Sequence, residues 1–476
     1  MMARSYSIRS KPDWRRKYLD PEIRAKWRQE ALSTELEDRV FAERPKESGM
    51  GYDREAEELE RPRLTEKMVD HVLDELTLHD EMFKETGGIA SWFKAVSELE
   101  KNPPFGEPDW HPGSNEQVLD LVHPSLFPLV YEKSLMLEVE GKATRVAESP
   151  NKGQWDHLFE KYAWLPSDFD VDAEGKVMIS SYINNLHPVR HAQLYPILSR
   201  LFERFAPLFE NVLSDLQDPP PRRIPVDWEV SSNWFGDEPD WHDREAYEKW
   251  EETKQIKLPE PEPFAMPEQV ASFPAFSLKG RKLHIIVKLA NIHLTPEKPD
   301  YAGGIWHVEG MQNEEIVASG IYYFAQENIG DSKLSFRGTF EESEVPYEQD
   351  DTKGVKLVWG LDPTTTRSLA TRDGRAVAFP NLYQHRVSPF SLVDRMKPGY
   401  RKILCFFLVD PLKTDAGLVI STSRVPPQQF PWLEDAIWDL PRKAKRVREK
   451  LMEERKYLHE ENKRIVCERP FSLCEH

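Results

Sequence analysis

The chain has 476 residues, of which 39% are hydrophobic and 31% are charged, so it can bury a large core. Its net charge of −18 argues against a nucleic-acid groove and against docking on anionic membranes, since both need clustered lysine and arginine. No apolar stretch could cross a bilayer, the N-terminus lacks the apolar core of a secretory signal, and the three cysteines form no zinc or disulfide spacing. We therefore expect a cytoplasmic protein with no nucleic-acid partner, no membrane partner and no obligate protein partner.

The two ends of the chain are predicted to be helical. Residues 1–170 are charged and helix-prone, and apolar residues at 68–76 recur at helical spacing. We expect them to form a mainly helical extension packed on the core. Residues 427–476 are expected to form a second, highly charged helical extension whose charges are solvated. His111, in a proline-rich loop beside Trp110, is expected to have a packing role.

Residues 171–426 are predicted to form the core. A strand is expected at 176–182, and the clearest helix of the chain follows over 194–213, where apolar side chains recur at helical spacing. Residues 217–270 form an acidic insert rich in proline and tryptophan. It is either a covering loop pinned by aromatic side chains or a lid over a site, because long loops in compact domains often cover active sites.

Short strands dominate after this insert. Apolar or alternating runs predict strands at residues 283–289, 316–324, 334–340, 355–359, 376–379, 403–409 and 419–422. Many short strands separated by Gly, Pro and Asp turns indicate a sandwich or a closed roll. The predicted fold class is therefore α+β.

Two short strings in the strand-rich region carry candidate metal ligands. In Trp306-His307-Val308-Glu309-Gly310, an extended backbone would project His307 and Glu309 to the same face. In FPNLYQHRV, residues 379–387, His385 supplies a second imidazole. Each residue alone is explained by core packing or a surface charge. As an ordered set they favour a two-histidine, one-carboxylate site, which leaves positions open on iron(II).

An arginine follows the second string at the start of an apolar run. Arg401 precedes residues 403–409, and its guanidinium could form a bidentate pair with a carboxylate. Arg386 is a weaker candidate because it is adjacent to His385 and expected to point away from it. Tyr301, just before Gly303-Gly304, could contact the same ligand or be a packed aromatic at a turn.

The order of these motifs resembles the iron(II)/2-oxoglutarate-dependent oxygenases: H-x-E, then GRAVAFPN and His385, then an arginine entering an apolar strand. The resemblance implies a double-stranded β-helix (jelly-roll) core between the helical extensions. It implies that His307, Glu309 and His385 bind Fe(II), that Arg401 and Tyr301 bind 2-oxoglutarate, and that O2 is the second co-substrate. The sequence departs from the usual pattern in having Glu rather than Asp as ligand, and in having Ile403 where many relatives have the serine of an Arg-x-Ser pair.

The longer string GGIWHVEGMQNE also resembles a fungal family of domains of unknown function, and SYINNLHP at 181–188 resembles its upstream marker. That resemblance spans roughly residues 60–430, and members that oxidise amino acids include ones acting on valine. It implies oxidation of a small molecule in secondary metabolism, by hydroxylation, desaturation or a ring closure such as aziridine formation, with 2-oxoglutarate converted to succinate. Candidate partners for a substrate carboxylate are Arg337 and the pair Asn313 and Glu314, although Arg337 could equally be a strand-surface charge.

Two other functions stay open at this point. A protein or peptide hydroxylase or demethylase of the same fold would suit the acidic surface, but several such relatives bind 2-oxoglutarate with a lysine on an earlier strand. A non-catalytic β-helix scaffold would use its charged ends and acidic insert as interaction surfaces and would bind no metal.

Overall fold

The computed structural model describes residues 8, 11, 17–18, 20–33, 65–70, 72–73, 91–103, 106–137, 143–147, 149, 161–217, 239–253, 276–338, 367–415, 419–425 and 440–462. Every strand pairing in this part of the chain is antiparallel. Helices flank the sheets, so the fold is a mixed α/β arrangement with antiparallel sheets.

Helices with defined bounds are α1 (Pro21–Ser33), α2 (Ser91–Lys101), α3 (Leu194–Gln217), α4 (Arg244–Thr253), α5 (Pro411–Asp415) and α6 (Leu440–Asn462). The first seven strands are β1 (Val118–Val122), β2 (Leu129–Val130), β3 (Leu135–Leu137), β4 (Ala143–Arg145), β5 (Tyr162–Ala163), β6 (Ser167–Val171) and β7 (Val177–Ile179). The others are β8 (Lys282–Leu294), β9 (Asp300–Tyr301), β10 (Ile316–Glu327), β11 (Lys333–Arg337), β12 (Arg367–Ala370), β13 (Arg375–Pro380), β14 (Gln384–Val387), β15 (Phe390–Ser391) and β16 (Gly399–Val409).

The largest sheet, called the main sheet below, has seven strands in the order β13-β10-β16-β8-β6-β7, with β1 also paired to β8. Side chains alternate between the two faces of each strand. On β16, Phe406 and its even-numbered neighbours therefore enter one buried cluster, whereas Cys405, Phe407 and Val409 enter another. Because both faces are covered, β16 reads as a continuous apolar run without polar alternation.

Helix α3 covers one face of the main sheet. The rings of Phe202 and Phe205 pack edge-on against Phe406, with ring centroids 5.4 and 5.3 Å apart. Gly320 of β10 lies beneath this helix, where an added Cβ would be 2.8 Å from the Phe205 ring. The helix predicted from apolar spacing at 194–213 is therefore confirmed, and the close packing of its aromatic side chains requires a glycine in the sheet below.

The opposite face of the main sheet is covered by a three-stranded sheet, called the small sheet, in the order β12-β11-β14. Leu334 and Phe336 of β11 pack in the same cluster as Phe379 and Phe407 of the main sheet. The Phe336 and Phe379 rings meet at a centroid distance of 4.9 Å. The layer between the two sheets, which this cluster partly fills, is called the chamber below.

Helix α6 closes one side of the molecule through buried ion pairs. The guanidinium of Arg448 donates to both carboxylate oxygens of Asp109, at 2.7 and 3.0 Å. That of Arg455 donates to Glu314 and lies over the Trp164 ring, 3.7 Å from its centroid. Both arginines are buried, so the expectation that the charges of this helix are all solvated is wrong for these two positions.

The N-terminal third also differs from its prediction. Residues 118–171 contain strands β1 to β6, and β1 and β6 join the main sheet, so the expectation that residues 1–170 are mainly helical is wrong for this segment. Strands β1 and β6 have only five residues each, so their sequences carry too little alternation to predict a strand. Their pairing with β8, which is far away in the sequence, leaves no local signal. The strand expected at 419–422 is a bend and turn. The expected strand at 355–359, and residues 218–238 and 254–270 of the insert, lie outside the described residues.

Candidate metal centre

Two of the predicted ligands lie directly opposite each other on neighbouring backbones. The N–H of His307 donates to the carbonyl of His385 at 3.1 Å, and the N–H of His385 donates to the carbonyl of His307 at 2.8 Å. Strand β14, which contains His385, is held in turn by β11 of the small sheet. Backbone pairing therefore fixes the separation of the two imidazoles, whose ring centroids are 4.4 Å apart.

The third predicted ligand completes a compact triad. Glu309 Oε1 lies 3.7 Å from His307 Nε2 and 3.3 Å from His385 Nε2. His307 Nδ1 lies 2.8 Å from the carbonyl of Ile305, a contact that places a ring proton on Nδ1 and directs Nε2 towards Glu309. The side chain of His307 is 31% exposed, whereas those of Glu309 and His385 are 10% and 3% exposed. The triad is thus accessible from the side of His307.

The charges of the triad suit a cation. Burial would raise the pKa of Glu309, but hydrogen bonds and charges from His307 and His385 hold it well below its ordinary value. Burial opposes ionisation of His307, yet the Glu309 carboxylate raises the pKa of that ring. Burial, together with the charge of His307, lowers the pKa of His385. An ionised carboxylate therefore faces two imidazoles, the donor set of a two-histidine, one-carboxylate centre.

Asn381, the last residue of the FPN string, holds the backbone of Glu309. Its amide oxygen accepts the Glu309 N–H at 2.9 Å, and its amide nitrogen donates to the Glu309 carbonyl at 2.8 Å. Gly310 follows with φ +72°, and an added Cβ there would lie 2.5 Å from the Glu314 carboxylate. Only glycine permits this turn, which Glu314 closes by accepting the Met311 N–H at 2.7 Å.

Arg401 lies at the other end of the chamber and is 1% exposed. One of its terminal nitrogens, Nη1, donates to Ser332 and lies 3.5 Å from Thr371 Oγ1. Its Nε and Nη2 have no hydrogen-bond partner, and no carboxylate among the described residues pairs with it. Burial lowers the pKa of Arg401. A buried guanidinium with unused donors and no counter-charge has the chemistry to bind an anion.

Tyr301 lies beside Arg401. Its strand pairs with Phe390, the two rings are 5.1 Å apart, and the Arg401 guanidinium lies 4.9 Å from the Phe390 centroid. Burial raises the pKa of Tyr301, while the charges of Arg401 and Lys288 oppose that rise. Its hydroxyl therefore borders a region with two cations.

The candidate substrate residues lie elsewhere. Arg337 donates to Gln384 at 2.7 Å, and both project from the face of the small sheet opposite to His385. There Arg337 and Arg386 lie over the Trp306 ring, 4.8 and 4.5 Å from its centroid. Strand alternation thus directs Arg337 away from the chamber, which corrects the expectation that it meets the substrate.

Asn313 and Glu314 are buried supports of the turn after the H-x-E string. The Asn313 amide donates to the carbonyl of Tyr162 at 3.0 Å, and Glu314 is paired with Arg455. Burial raises the pKa of Glu314, although the Arg455 charge opposes the rise. The expectation that this pair receives a substrate carboxylate is therefore corrected: both side chains are used within the fold.

Sequence reasoning missed four contributors to the chamber: Ser332 and Thr371, which contact Arg401; Asn381; and Lys288 of β8. The two hydroxyls come from segments distant from Arg401 in sequence, so no local pattern marks them. Lys288 did carry a signal, because it interrupts the apolar strand LHIIVKLANIHL.

A second group of two histidines and a carboxylate, His111, Asp120 and His123, is equally compact, with candidate ligand atoms within 4.8 Å of one another. His123 Nδ1 accepts the N–H of Ser125 at 3.2 Å, so the neutral ring carries its proton on Nε2 and offers no lone pair there. Asp120 lies 2.9 Å from His111 Nδ1 and 3.6 Å from Arg448. Burial would raise the pKa of Asp120, but His123 and His111 lower it to about 2. We assign no metal to this group. His111 packs against the ring of His123, at a centroid distance of 5.1 Å, and contacts Asp120, as a structural residue would.

The chain belongs to the family described as "Protein of unknown function (DUF4246)", whose model matches residues 90–436. Residues 1–30 match the N-terminal domain of that family. No curated protein matches the chain.

Several solved structures share a segment with the chain. One is IDO from Bacillus thuringiensis, with 11% identity and a TM-score of 0.20, covering 29% of this chain and 51% of that one. Another is the Fe(II)/α-ketoglutarate-dependent dioxygenase TqaL, with 14% identity and a TM-score of 0.19, covering 29% of this chain and 48% of that one. The chain thus spans about half the length of these structures. At these scores they assign neither fold nor function. Among the described helices, none is both long and apolar enough to cross a membrane.

Proposed function

We propose that the chain is a non-haem iron(II)/2-oxoglutarate-dependent oxygenase that oxidises a small molecule in the cytoplasm. In this proposal the main and small sheets form a double-stranded β-helix, and the helical segments at both ends extend it. The partner is a small-molecule substrate rather than a nucleic acid, a membrane or another protein.

The triad fits iron(II). His307 and His385 offer two neutral imidazole nitrogens and Glu309 an ionised oxygen, with Nε2 to Oε1 distances of 3.7 and 3.3 Å. Ligand atoms that share a metal at bond lengths of about 2.1 Å lie roughly 3–3.5 Å from one another, so these separations suit a shared ion. Three protein ligands leave further positions for co-substrate and oxygen. Asn381 would keep the Glu309 backbone in place as the carboxylate binds the metal.

The observation that carries the proposal is the unpaired guanidinium of Arg401. A buried charge without a partner costs several kcal/mol, and an anion that binds Arg401 would offset this cost. The planar donor pair Nε and Nη2 matches a carboxylate in two-point contact. 2-Oxoglutarate has carboxylates at both ends, so it can bind metal at one end and Arg401 at the other.

Iron(II) with 2-oxoglutarate and O2 supplies the oxidation of an unactivated C–H bond, with release of succinate and CO2. The residues of the chain bind and orient. Arg401, with Tyr301 beside it, would fix the far carboxylate of 2-oxoglutarate. Phe379, whose ring is 4.9 Å from that of His385, and Phe336 keep water from the buried side of the triad.

The test uses the full chain, purified without oxygen and loaded with iron(II) and 2-oxoglutarate. We expect a weak visible metal-to-ligand charge-transfer band, and succinate once oxygen is admitted. Glu309→Ala should lose both signals. Arg386→Ala, which changes an arginine on the outer face of the small sheet, should keep both. A wild-type protein that shows neither band nor succinate contradicts the proposal.

A further inference from the structure

The turn that follows Glu309 is closed by the buried carboxylate of Glu314. Gly310 begins this turn in the left-handed region, and the Glu314 carboxylate accepts the N–H of Met311 at 2.7 Å. The N–H of Glu314 donates in return to the Met311 carbonyl, at 3.0 Å. The backbone of Glu309 is thus held by Asn381 on one side and by this turn on the other. The orientation of its side chain depends on both supports.

The Glu314 carboxylate is in turn held by two groups outside the turn. Its Oε1 accepts the N–H of Trp164 at 2.5 Å and is paired with the guanidinium of Arg455, a residue of helix α6. The side chain of Glu314 is fully buried and that of Arg455 is 9% exposed, so the pair is shielded from solvent. One carboxylate oxygen therefore serves the turn, and the other connects it to the segment after β5 and to α6.

The guanidinium of Arg455 is oriented by contacts other than its pair with Glu314. It lies 3.7 Å from the centroid of the Trp164 ring, which stacks on Phe407 of β16 at a centroid distance of 5.7 Å. The indole N–H of Trp164 donates to Ser125 at 2.9 Å. These contacts fix the ring, and the ring favours one position for the cation over its face. Arg455 therefore presents a preoriented donor to Glu314.

A second buried arginine of α6 shows what attachment alone requires. Arg448, about two helical turns earlier, donates to both carboxylate oxygens of Asp109, which lies in the loop before β1. Such a pair joins the helix to the rest of the molecule. Arg455 instead meets a carboxylate whose second oxygen already closes the turn of a candidate metal ligand. The two arginines thus separate attachment of the helix from support of the metal centre.

We propose that Arg455 is a positioning residue of the metal centre: through Glu314 it holds the turn that orients the carboxylate of Glu309. The proposal rests on the metal triad of the oxygenase function proposed above. A residue of the C-terminal helix thereby determines part of the affinity for the metal. Groups that orient a metal ligand typically contribute ten- to a hundredfold to that affinity.

The experiment measures metal binding by the full chain in the absence of oxygen. Zinc(II) is titrated by calorimetry, and cobalt(II) serves as a spectroscopic probe because its visible absorption reports the number and geometry of its ligands. Arg455→Met should weaken zinc binding about tenfold or more and change the cobalt spectrum, because Glu309 is less well oriented. Arg455→Lys should recover part of the affinity, since its ammonium can still pair with Glu314. An arginine that only attaches the helix would change neither signal.

Arg448→Met is the matched control, since it removes a buried and paired arginine from the same helix. Both variants should lose stability, so affinities are measured on protein that circular dichroism shows to be folded. Only Arg455→Met should lose metal affinity. If Arg455→Met does not fold, Arg455→Lys takes its place, with a smaller loss expected in the same direction.

A double-mutant cycle tests the route through Glu314. Glu314→Gln leaves one oxygen where the turn and the other partners use two, so it should weaken zinc about as much as Arg455→Met. Because the two residues form one network, the double variant should weaken zinc little more than either single variant. Losses that simply add would show that Arg455 does not act through Glu314.

The inference is overturned if Arg455→Met binds zinc as tightly as Arg448→Met, or if the losses of the cycle add. It fails alone if the wild type binds metal and 2-oxoglutarate and forms succinate, while Arg455→Met keeps the wild-type metal affinity. If the variants at Arg455 and Glu314 lose zinc as expected but the wild type never binds 2-oxoglutarate, the positioning role stands and the oxygenase function fails. A wild type that binds no metal contradicts both.

Discussion

The described part of the chain contains two groups of two histidines and one carboxylate, both close enough to Lys288 to affect its pKa. In the first, the Nδ1 proton of His307 goes to a backbone carbonyl and its Nε2 faces Glu309. In the second, a backbone N–H already occupies His123 Nδ1, and Arg448 lies beside Asp120. Among the described residues, the carboxylate of the first group contacts the two imidazoles, whereas that of the second also has the permanent charge of Arg448 beside it.

The difference teaches that residue types and compactness do not define a metal site. Which nitrogen carries the proton, and whether the carboxylate already has a cation, decide what the same three groups can bind. The second group acts instead as part of a buried polar connection between α6 and the main sheet. Four changes would break or sharpen this comparison.

The largest effect is expected from removing a ligand of the first triad. His385→Ala should lower metal affinity by on the order of a thousandfold or more, because a bound metal is worth about 10–16 kcal/mol shared among its ligands. Calorimetric titration with zinc(II) or iron(II) measures it. His111→Ala, the equivalent change in the second group, should leave one metal per chain. Loss of metal in His111→Ala, and not in His385→Ala, would exchange the roles of the two groups.

The second largest effect is expected from removing Arg448, the cation beside the second group. Arg448→Ala leaves the buried Asp109 with only the longer contact to Lys445, at 3.8 Å, so we expect a loss of about 3 kcal/mol in the free energy of unfolding. Denaturant titration followed by circular dichroism measures this loss, and metal stoichiometry should not change in the protein that remains folded. A variant as stable as wild type would show that the ion pairs of α6 do not hold it to the sheet.

Removing Arg401, the buried arginine of the chamber, should change ligand affinity and not metal binding. Arg401→Ala should spare the metal and raise the dissociation constant of 2-oxoglutarate roughly ten- to a hundredfold, since a charged hydrogen bond contributes about 1.5–3 kcal/mol. Arg401→Lys should recover only part, because an ammonium cannot make the planar two-point contact. The charge-transfer band, titrated with 2-oxoglutarate, gives the constant, with Arg386→Ala as control. If Arg401→Ala binds 2-oxoglutarate as tightly as wild type, another cation must bind the far carboxylate.

The smallest effect is expected at the support of Glu309. Asn381→Ala removes the amide that holds the Glu309 backbone, and metal affinity should fall on the order of tenfold, as for other groups that orient a ligand. Asn184→Ala is the matched control, because Asn184 also donates to two backbone carbonyls in a buried position. Both variants should lose stability, but only Asn381→Ala should lose metal affinity. Equal metal affinity in the two would make Asn381 a purely structural residue.

Much of this arrangement was predictable where the signal is local. The apolar periodicity of α3 and the continuous run of β16 identify both elements, since burial pattern follows backbone geometry. The H-x-E spacing predicted that His307 and Glu309 lie near each other, although the backbone there is an isolated bridge followed by a bend and not the expected strand. The pairing of His307 with His385 could be expected only from motif order, because it joins segments far apart in sequence.

The rest depends on contacts that leave no local pattern. In the sequence nothing distinguishes Arg455 from the other charged residues of α6, yet in the structure it is buried against Trp164 and Glu314. Asp120 lies in a short strand whose pairing with β8 determines that it faces inward. Lys288 is the instructive omission: a lysine within a strand apolar on both faces must point into something polar, and that argument needs no structure.

The reciprocal backbone hydrogen bonds between His307 and His385 have a consequence for the entropy of metal binding. Joining these residues closes a loop formed by residues 308–384, and closing a loop of that length has a substantial entropic cost. In the folded protein the two backbone hydrogen bonds already close this loop, so metal binding does not carry the entropic cost of closing it. In zinc fingers, by contrast, metal binding and folding are a single event. Here the candidate centre is preorganised, so a metal that binds there would leave and return without the chain having to refold.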